Sequence, residues 1–261
     1  GGGSSGGGSS SGSTPSPNTG PAPTPVAPLT GGVNSASRFS IDLLQIPGLS
    51  VGQFSGANAS ITLDADLRLR SIGDCPATAC LSRGTALVAE SGADTHLSWG
   101  RWTGGNATVH LLGISASLAL SGQQGMHYLV GVPTASMPTS GTFQYNLQGA
   151  TRPTVSDGSM APGNFQATAL VQFSTGLQTR IGLKGTVEMP AFTVGFVAPM
   201  SSNTANSLSM TGSSRFAGVL DTTISASPGA AAGSVPAAAA NCPAGGCSVL
   251  IQGGFYGPAA A

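Results

Sequence analysis

The segment NFQATALVQFSTGLQTRIGLKGTVEM, residues 164–189, decides the fold class. Apolar side chains fall at every second position in two runs, which the dipeptide Thr175-Gly176 separates. A repeat of two is typical of a strand with one buried face, whereas a helix repeats about every 3.6 residues. The segment therefore predicts a β-hairpin with strands at 164–174 and 177–189. The aligned positions are Phe165, Ala167, Ala169, Val171 and Phe173, and then Leu177, Thr179, Ile181, Leu183, Val187 and Met189.

The same alternation recurs from residue 38 to residue 257. In residues 61–70 it predicts a single strand, with a solvated face formed by Asp64, Asp66, Arg68 and Arg70. Helix is scarce, since Gly233 and Pro236 interrupt the one Ala-rich stretch. Repeated short strands with Gly-rich turns favour an antiparallel barrel or a sandwich, because both hide strand edges. Further strands are predicted near 38–46, 85–90, 95–102, 106–112, 126–132, 141–149, 192–197, 207–212, 214–225 and 248–256.

Charge is scarce in this chain of 261 residues. It has nine Lys and Arg and nine Asp and Glu, which is 7% against about 25% in an average globular protein. A chain with one lysine and no net charge lacks the basic patch that nucleic acid or an anionic membrane surface requires. An apolar content of 40% excludes a chain that is disordered throughout.

Residues 1–37 contain no ionisable side chain and are rich in Gly, Ser and Pro. Such a composition cannot bury enough apolar surface to fold, so a flexible tether is predicted, with the body of the protein at 38–261. The tether resembles the segment that follows the lipidated cysteine of a bacterial outer-membrane lipoprotein, with that cysteine upstream of Gly1. The alternative is an interdomain linker or an engineered spacer.

The four cysteines form two similar units, Cys75–Cys80 and Cys242–Cys247, each with four intervening residues. A local disulfide in each unit is predicted, which fits an exported protein in an oxidising compartment. The alternative is a zinc site with all four thiolates as ligands.

The sequence gives little support for a catalytic site. The string Gly48-Leu49-Ser50-Val51-Gly52 matches a hydrolase nucleophile elbow, but no helix follows it, so catalysis by Ser50 is not expected. The histidines His96, His110 and His127 form no metal-binding array. We therefore predict a protein that is not an enzyme and has neither a metal nor a cofactor.

Aromatic and basic residues gather in two strand-like segments. Such residues are the usual anchors of a binding surface, so they are the candidate ligand-binding residues. The alternative is that they are core aromatics, with the arginine at a rim. The candidates are Trp99, Arg101, Trp102, His127 and Tyr128.

Three stretches carry a family resemblance: WGRWTGG (99–105), residues 127–154, and QGGFYGPAAA (252–261). They resemble the C-terminal barrel domain of transferrin-binding protein B-like surface lipoproteins. The resemblance implies an antiparallel barrel of about eight strands at about 95–261, with a handle-like sheet at about 38–90. The chain ends at Ala261, where the family continues with a closing strand. The charged loops with which transferrin-binding members hold their host protein are absent, so no particular ligand is implied.

Together these observations predict an exported cell-surface lipoprotein of the outer membrane. Its expected ligand is a protein or a haem- or iron-linked molecule, and its only membrane contact is a lipid anchor upstream of Gly1. The alternative is a structural subunit of an extracellular filament or matrix. Such subunits would assemble by strand addition, through the tether or through an open strand edge.

Overall fold

The computed structural model describes residues 40–44, 54–55, 61–73, 80–94, 96–111, 113–201, 205–231, 233, 246–258 and 260. The predicted tether, Ser50, Cys75 and Cys242 lie outside these residues.

Within the described residues the chain forms seventeen strands, one 3-10 turn (η1, Gly176–Gln178) and no α-helix. The all-β prediction is therefore confirmed. The strands are β1 (Ser40–Leu44), β2 (Phe54–Ser55), β3 (Ile61–Leu63), β4 (Leu69–Ile72), β5 (Cys80–Ser82), β6 (Leu87–Ala93), β7 (Leu97–Thr103), β8 (Gly105–Leu111), β9 (Ile114–Leu120), β10 (Met126–Gly131), β11 (Thr142–Asn146), β12 (Asn164–Gln172), β13 (Arg180–Glu188), β14 (Phe192–Ala198), β15 (Ser209–Met210), β16 (Arg215–Ala226) and β17 (Ser248–Gly254).

The strands make three antiparallel sheets. Sheet 1 has the order β2-β1-β10-β7-β6, and sheet 2 has the order β3-β4-β5-β8-β9. Sheet 3 has the order β11-β12-β13-β14-β16, with β15 and β17 also paired to β16. The predicted boundary between handle and barrel, near residues 90–95, falls between β6 and β7, which pair in one sheet.

The predicted hairpin at 164–189 is confirmed as β12 and β13, paired from Asn164↔Glu188 to Gln172↔Arg180. Its turn is longer than predicted, so the second strand begins at Arg180 and not at residue 177. Gly176 has a φ of 58°, a conformation that glycine adopts without strain. The Thr179 hydroxyl donates to the Ser174 carbonyl and accepts from the Ser174 N–H, which closes the turn.

The prediction of one strand over residues 61–70 is wrong, since these residues form the hairpin β3–β4. Asp64 Oδ1 accepts the backbone N–H groups of Asp66 and Arg68, both at 3.0 Å. Its other oxygen, Oδ2, accepts hydrogen bonds from both terminal nitrogens of Arg83, each at 3.1 Å. A short acidic side chain that satisfies nearby N–H groups competes with the strand ladder, so the chain turns here. The predicted charged face is therefore absent.

The sequence prediction also missed β9, although Ile114, Ala116, Leu118 and Leu120 alternate with small residues. β9 pairs with β8 from Gly105↔Leu120 to Leu111↔Ile114. The short strands β2 and β5 were missed as well, because runs of two or three residues show no period.

The first hydrophobic core lies between sheets 1 and 2. It contains the buried side chains of Leu69, Trp102, Met126, Tyr128 and Val130. Both backbone polar groups of Leu69 are hydrogen-bonded in this core. Its carbonyl accepts a hydrogen bond from Trp102 Nε1–H (3.1 Å), and its N–H donates to the Tyr128 hydroxyl (3.3 Å). The two rings lie 6.3 Å apart between centroids. The core thus fixes the β3–β4 hairpin against sheet 1.

The second core lies on the inner face of sheet 3 and centres on Phe255. Its ring centroid is 5.4 Å from that of Phe173, 5.6 Å from Phe216 and 6.4 Å from Tyr145. Tyr145 lies on the edge strand β11, whereas Phe255 follows the opposite edge strand β17. The Tyr145 hydroxyl also donates to the Ala260 carbonyl at 2.7 Å. The sheet therefore curls until residues from both edges contact one aromatic cluster.

The closed barrel is not confirmed. In the described part of the chain, β11 and β17 are not paired with each other, and each sheet is an open array. Aromatic contacts, which require no backbone ladder, join the two edges of sheet 3.

The residues after β17 connect the sheets. Thr134 N–H donates to the Phe255 carbonyl at 2.9 Å, and Gly257 N–H donates to the Val132 carbonyl at 3.0 Å. Pro133 and Tyr256 form the antiparallel bridge between these two bonds. Because Val132 follows β10, this seam joins sheet 1 to sheet 3.

We expect Phe255→Ala to lower the free energy of unfolding by about 3–5 kcal/mol, because it leaves a cavity among three aromatic rings. Urea denaturation measures the loss. The control is Phe143→Ala, since Phe143 is 51% exposed and contacts only the edge of this cluster. Its expected loss is about 1 kcal/mol. Equal losses in the two variants would contradict the central role of Phe255.

Candidate functional site

The predicted ligand-binding residues lie on two neighbouring strands, β7 and β10. Their register pairs His127 with Arg101, Tyr128 with Gly100 and Met126 with Trp102. Successive residues of a strand point to opposite faces, so the five candidates divide into two groups.

Trp102 and Tyr128 point into the first core. Both are buried, and both hydrogen-bond to Leu69 as described above. Burial raises the pKa of Tyr128 above its ordinary value, although hydrogen bonds from Leu69 and Ser98 act against this shift. These two side chains serve the packing of sheet 1 on sheet 2.

Arg101 lies on the other face of sheet 1 and is only 3% exposed. Its Nε and Nη2 donate to the two carboxylate oxygens of Glu90 at 2.7 and 2.6 Å, and its Nη1 donates to the Gln124 carbonyl at 3.0 Å. Glu90 reaches this position because the register of β6 shifts between Val88 and Ser91. The result is a bidentate buried ion pair, the strongest geometry for this pairing.

His127 lies beside this ion pair and contacts the segment between β11 and β12, residues 147–163, which we call the strap. Its Nδ1 is 2.7 Å from the Thr151 hydroxyl, and its Nε2 is 2.9 Å from the Thr154 hydroxyl. The strap residue Arg152 donates its backbone N–H to Glu90 at 3.3 Å. The cluster therefore ties the strap to sheet 1.

Burial, and to a smaller extent the positive charge of Arg101, lower the pKa of His127 to about 4, although the negative charge of Glu90 acts against this shift. The imidazole is therefore neutral at pH 7. A neutral imidazole has one donor and one acceptor nitrogen, and a threonine hydroxyl can serve either. Both nitrogens are engaged by the strap, so the arrangement acts as a clamp.

Trp99 shares the face of Arg101 and is partly buried. Its indole ring lies across Gly92 of β6, where a methyl group would overlap the ring. Glycine is therefore required at residue 92 for this close approach.

Cys80 and Cys247 are both disulfide-bonded. They are thus not thiolate ligands, which removes the four-cysteine zinc alternative. The other two cysteines lie outside the described residues, so the pairing within each unit stays a prediction. Among the described residues, no three His, Cys, Asp or Glu side chains are grouped as a metal site.

Sequence reasoning missed a small cavity at one end of sheet 3, which we call the loop-end site. Its volume is about 210 Å³, and three separate loops line it. Leu177 stands at its edge with 62% of its surface exposed. The only indication of this site in the sequence was Leu177, a large apolar residue directly after the predicted turn Thr175-Gly176. Lining residues include Met137, Pro138, Ser174, Leu177, Thr179 and Ser213.

Comparison of the chain with protein families, with curated proteins and with solved structures finds no match. The resemblance to transferrin-binding protein B-like lipoproteins therefore stays a prediction. In the part of the chain that is described, no helix has the length and apolar character needed to cross a membrane.

We expect acid to weaken the clamp. An unfolded histidine titrates near pH 6.5 and folded His127 near 4, so between these values the unfolded state binds a proton that the folded state does not. Neutral His127 contributes fully to the free energy of unfolding above pH 6.5. Up to about 3 kcal/mol of this free energy is lost as the pH falls to 4. Urea denaturation across this range measures the loss, which His127→Gln should remove.

The control for this pH series is Ser156→Ala, because Ser156 is an exposed strap residue whose backbone carbonyl, not its side chain, accepts Gln124. It should reproduce the pH dependence of the unaltered protein. If His127→Gln did so too, the assignment of the pH dependence to His127 would be wrong.

Proposed function

We propose that the chain is an exported, non-enzymatic binding module of the bacterial cell surface that holds a partner protein at the loop-end site. The observation that carries the proposal is the cavity itself, with the exposed Leu177 at its edge. Concave apolar sites with a few convergent hydroxyl groups are the usual form of a binding site. The hydroxyls here belong to Thr139, Ser174 and Ser213, whereas the Thr179 hydroxyl is held by the Ser174 backbone.

Export is supported by the disulfide bonds at Cys80 and Cys247, since disulfides persist in oxidising compartments. The uncharged Gly/Ser/Pro composition of residues 1–37 supports a tether. A lipid anchor upstream of Gly1 would then hold the protein at the outer membrane, with the folded body outside the cell. The resemblance to transferrin-binding protein B-like lipoproteins agrees with this location.

Of the two ligand classes that the sequence suggested, a protein is favoured over a haem- or iron-linked molecule. The residues that line the loop-end site are apolar or carry hydroxyls, and none of those described is His, Cys, Tyr or a charged residue. Iron and haem are usually held by just such ligating side chains. An uncharged, apolar segment of a protein fits the site better.

We expect Leu177→Lys to weaken partner binding by about ten-fold or more, because a charge at the edge of an apolar contact must be desolvated. The probe is a displayed library of random peptides selected on the unaltered protein. Selected peptides should be apolar and uncharged, and titration calorimetry gives their affinity for each variant.

The matched control is Leu87→Lys, since Leu87 is 66% exposed on β6 in another sheet. It should bind the selected peptides as the unaltered protein does. Peptides that bind Leu177→Lys with undiminished affinity would exclude the loop-end site as their contact.

A second candidate function is a subunit of an extracellular filament or matrix. It is favoured by the two edges of sheet 3, β11 and β17, which converge on Phe255 and whose outer sides pair with no other strand in the described residues. A strand from the tether of a neighbouring copy could pair with both edges and complete the predicted barrel.

Electron microscopy of the purified protein tests this second function. We expect regular fibres that disappear when residues 1–32 are deleted, because the added strand would then be missing. The Leu87→Lys variant should still form fibres, since its substitution lies in sheet 1. Fibres that persist after the deletion, or a protein that stays dispersed, would reject tether-driven assembly.

A further inference from the structure

β9 is the edge strand of sheet 2. It pairs with β8 along its whole length, and none of the described strands pairs with its other side. The outer edge of such a strand carries backbone N–H and C=O groups that can pair with another chain.

The other edges of sheets 1 and 2 have features that discourage such pairing. In sheet 1, β2 has only two residues, and β6 is bent by its register shift and carries Glu90. In sheet 2, β3 has three residues and a register shift after Thr62. β9 instead has seven residues, ISASLAL, in unbroken register and without Gly, Pro or a charged side chain. Among the edges of sheets 1 and 2, β9 is therefore the one best suited to accept another strand.

The apolar face of β9 extends beyond the core that covers it. Leu120 is buried and Leu118 packs against the first core, whereas Ala116 is exposed and Ile114 is 70% exposed. All four side chains share one face, because alternate residues of a strand point the same way. The far half of this face thus remains uncovered by the described residues.

The sequence of β9 is self-complementary about Ser117. In an antiparallel pair of two β9 strands centred there, Ile114 of each copy lies opposite Leu120 of the other, and Ala116 lies opposite Leu118. Apolar residues then face apolar residues, and no like charges meet. The exposed Ile114 of each copy would then lie beside Leu120, at the buried end of β9 in the other copy.

We infer that two copies of this chain associate through β9, antiparallel and with a twofold axis at Ser117. The contact is isologous, so it closes at two copies and continues sheet 2 across the pair. It goes beyond the proposed function, because the loop-end site lies on sheet 3 and contributes no residue to this contact.

Sedimentation equilibrium of the full chain and of Ser117 variants tests this inference. The unaltered protein should sediment at twice the chain mass. Ser117→Lys and Ser117→Asp should each sediment at the chain mass, because like charges would meet on the axis. An equal mixture of these two variants should return to twice the chain mass, since Lys then faces Asp. Circular dichroism confirms that each variant is folded.

The matched control is Ser225→Lys, which places the same charge at an exposed serine of β16, a strand inside sheet 3. It should remain a dimer. The inference is overturned if the unaltered protein has the chain mass at its highest attainable concentration. Dimers of Ser117→Lys alone, or a mixture that stays monomeric, overturn it as well.

Discussion

Phe255 joins the parts of this protein. Its ring lies among Tyr145, Phe173 and Phe216, so it gathers both edges of sheet 3 around one core. Its carbonyl accepts Thr134 N–H in the seam that links sheet 3 to sheet 1. Phe255 can make both contacts because its backbone hydrogen-bonds to the segment after β10, while its side chain fills the inner face of sheet 3. The curl of sheet 3 and its connection to sheet 1 therefore involve this one segment.

Part of the scarce charge serves internal structure. Asp64 and Arg83 close the β3–β4 turn, while Glu90 and Arg101 hold the strap to sheet 1. A buried pair costs several kcal/mol in desolvation per ion, which its hydrogen bonds offset only when the geometry is good. The buried Glu90–Arg101 pair has this geometry, with bonds of 2.7 and 2.6 Å to the two carboxylate oxygens. The Asp64–Arg83 pair is only half-buried, so its desolvation costs less. Such groups are therefore committed to structure and leave recognition to uncharged surfaces.

Two such surfaces carry the functional proposals. The loop-end site is concave and is lined by apolar and hydroxyl groups, which suits a segment of another protein. The β9 edge is straight and regular, which suits a second strand. They lie on different sheets, so a dimer through β9 would present two copies of the loop-end site. Two linked sites bind a multivalent partner more tightly than one.

The sequence by itself determined the all-β class and the β12–β13 hairpin, because alternation with period two is a local property of a strand. It also singled out the five candidate residues in two predicted strands, although not that these two strands are neighbours. Only the tertiary structure decided which of them are core and which lie on the other face of sheet 1, because their partners Leu69, Glu90 and Thr151 are distant in the chain. The same holds for the turn within residues 61–70 and for the loop-end site. The loop-end site is formed by three separate loops, and the turn combines local bonds of Asp64 with a contact to Arg83, so neither follows from a local periodicity.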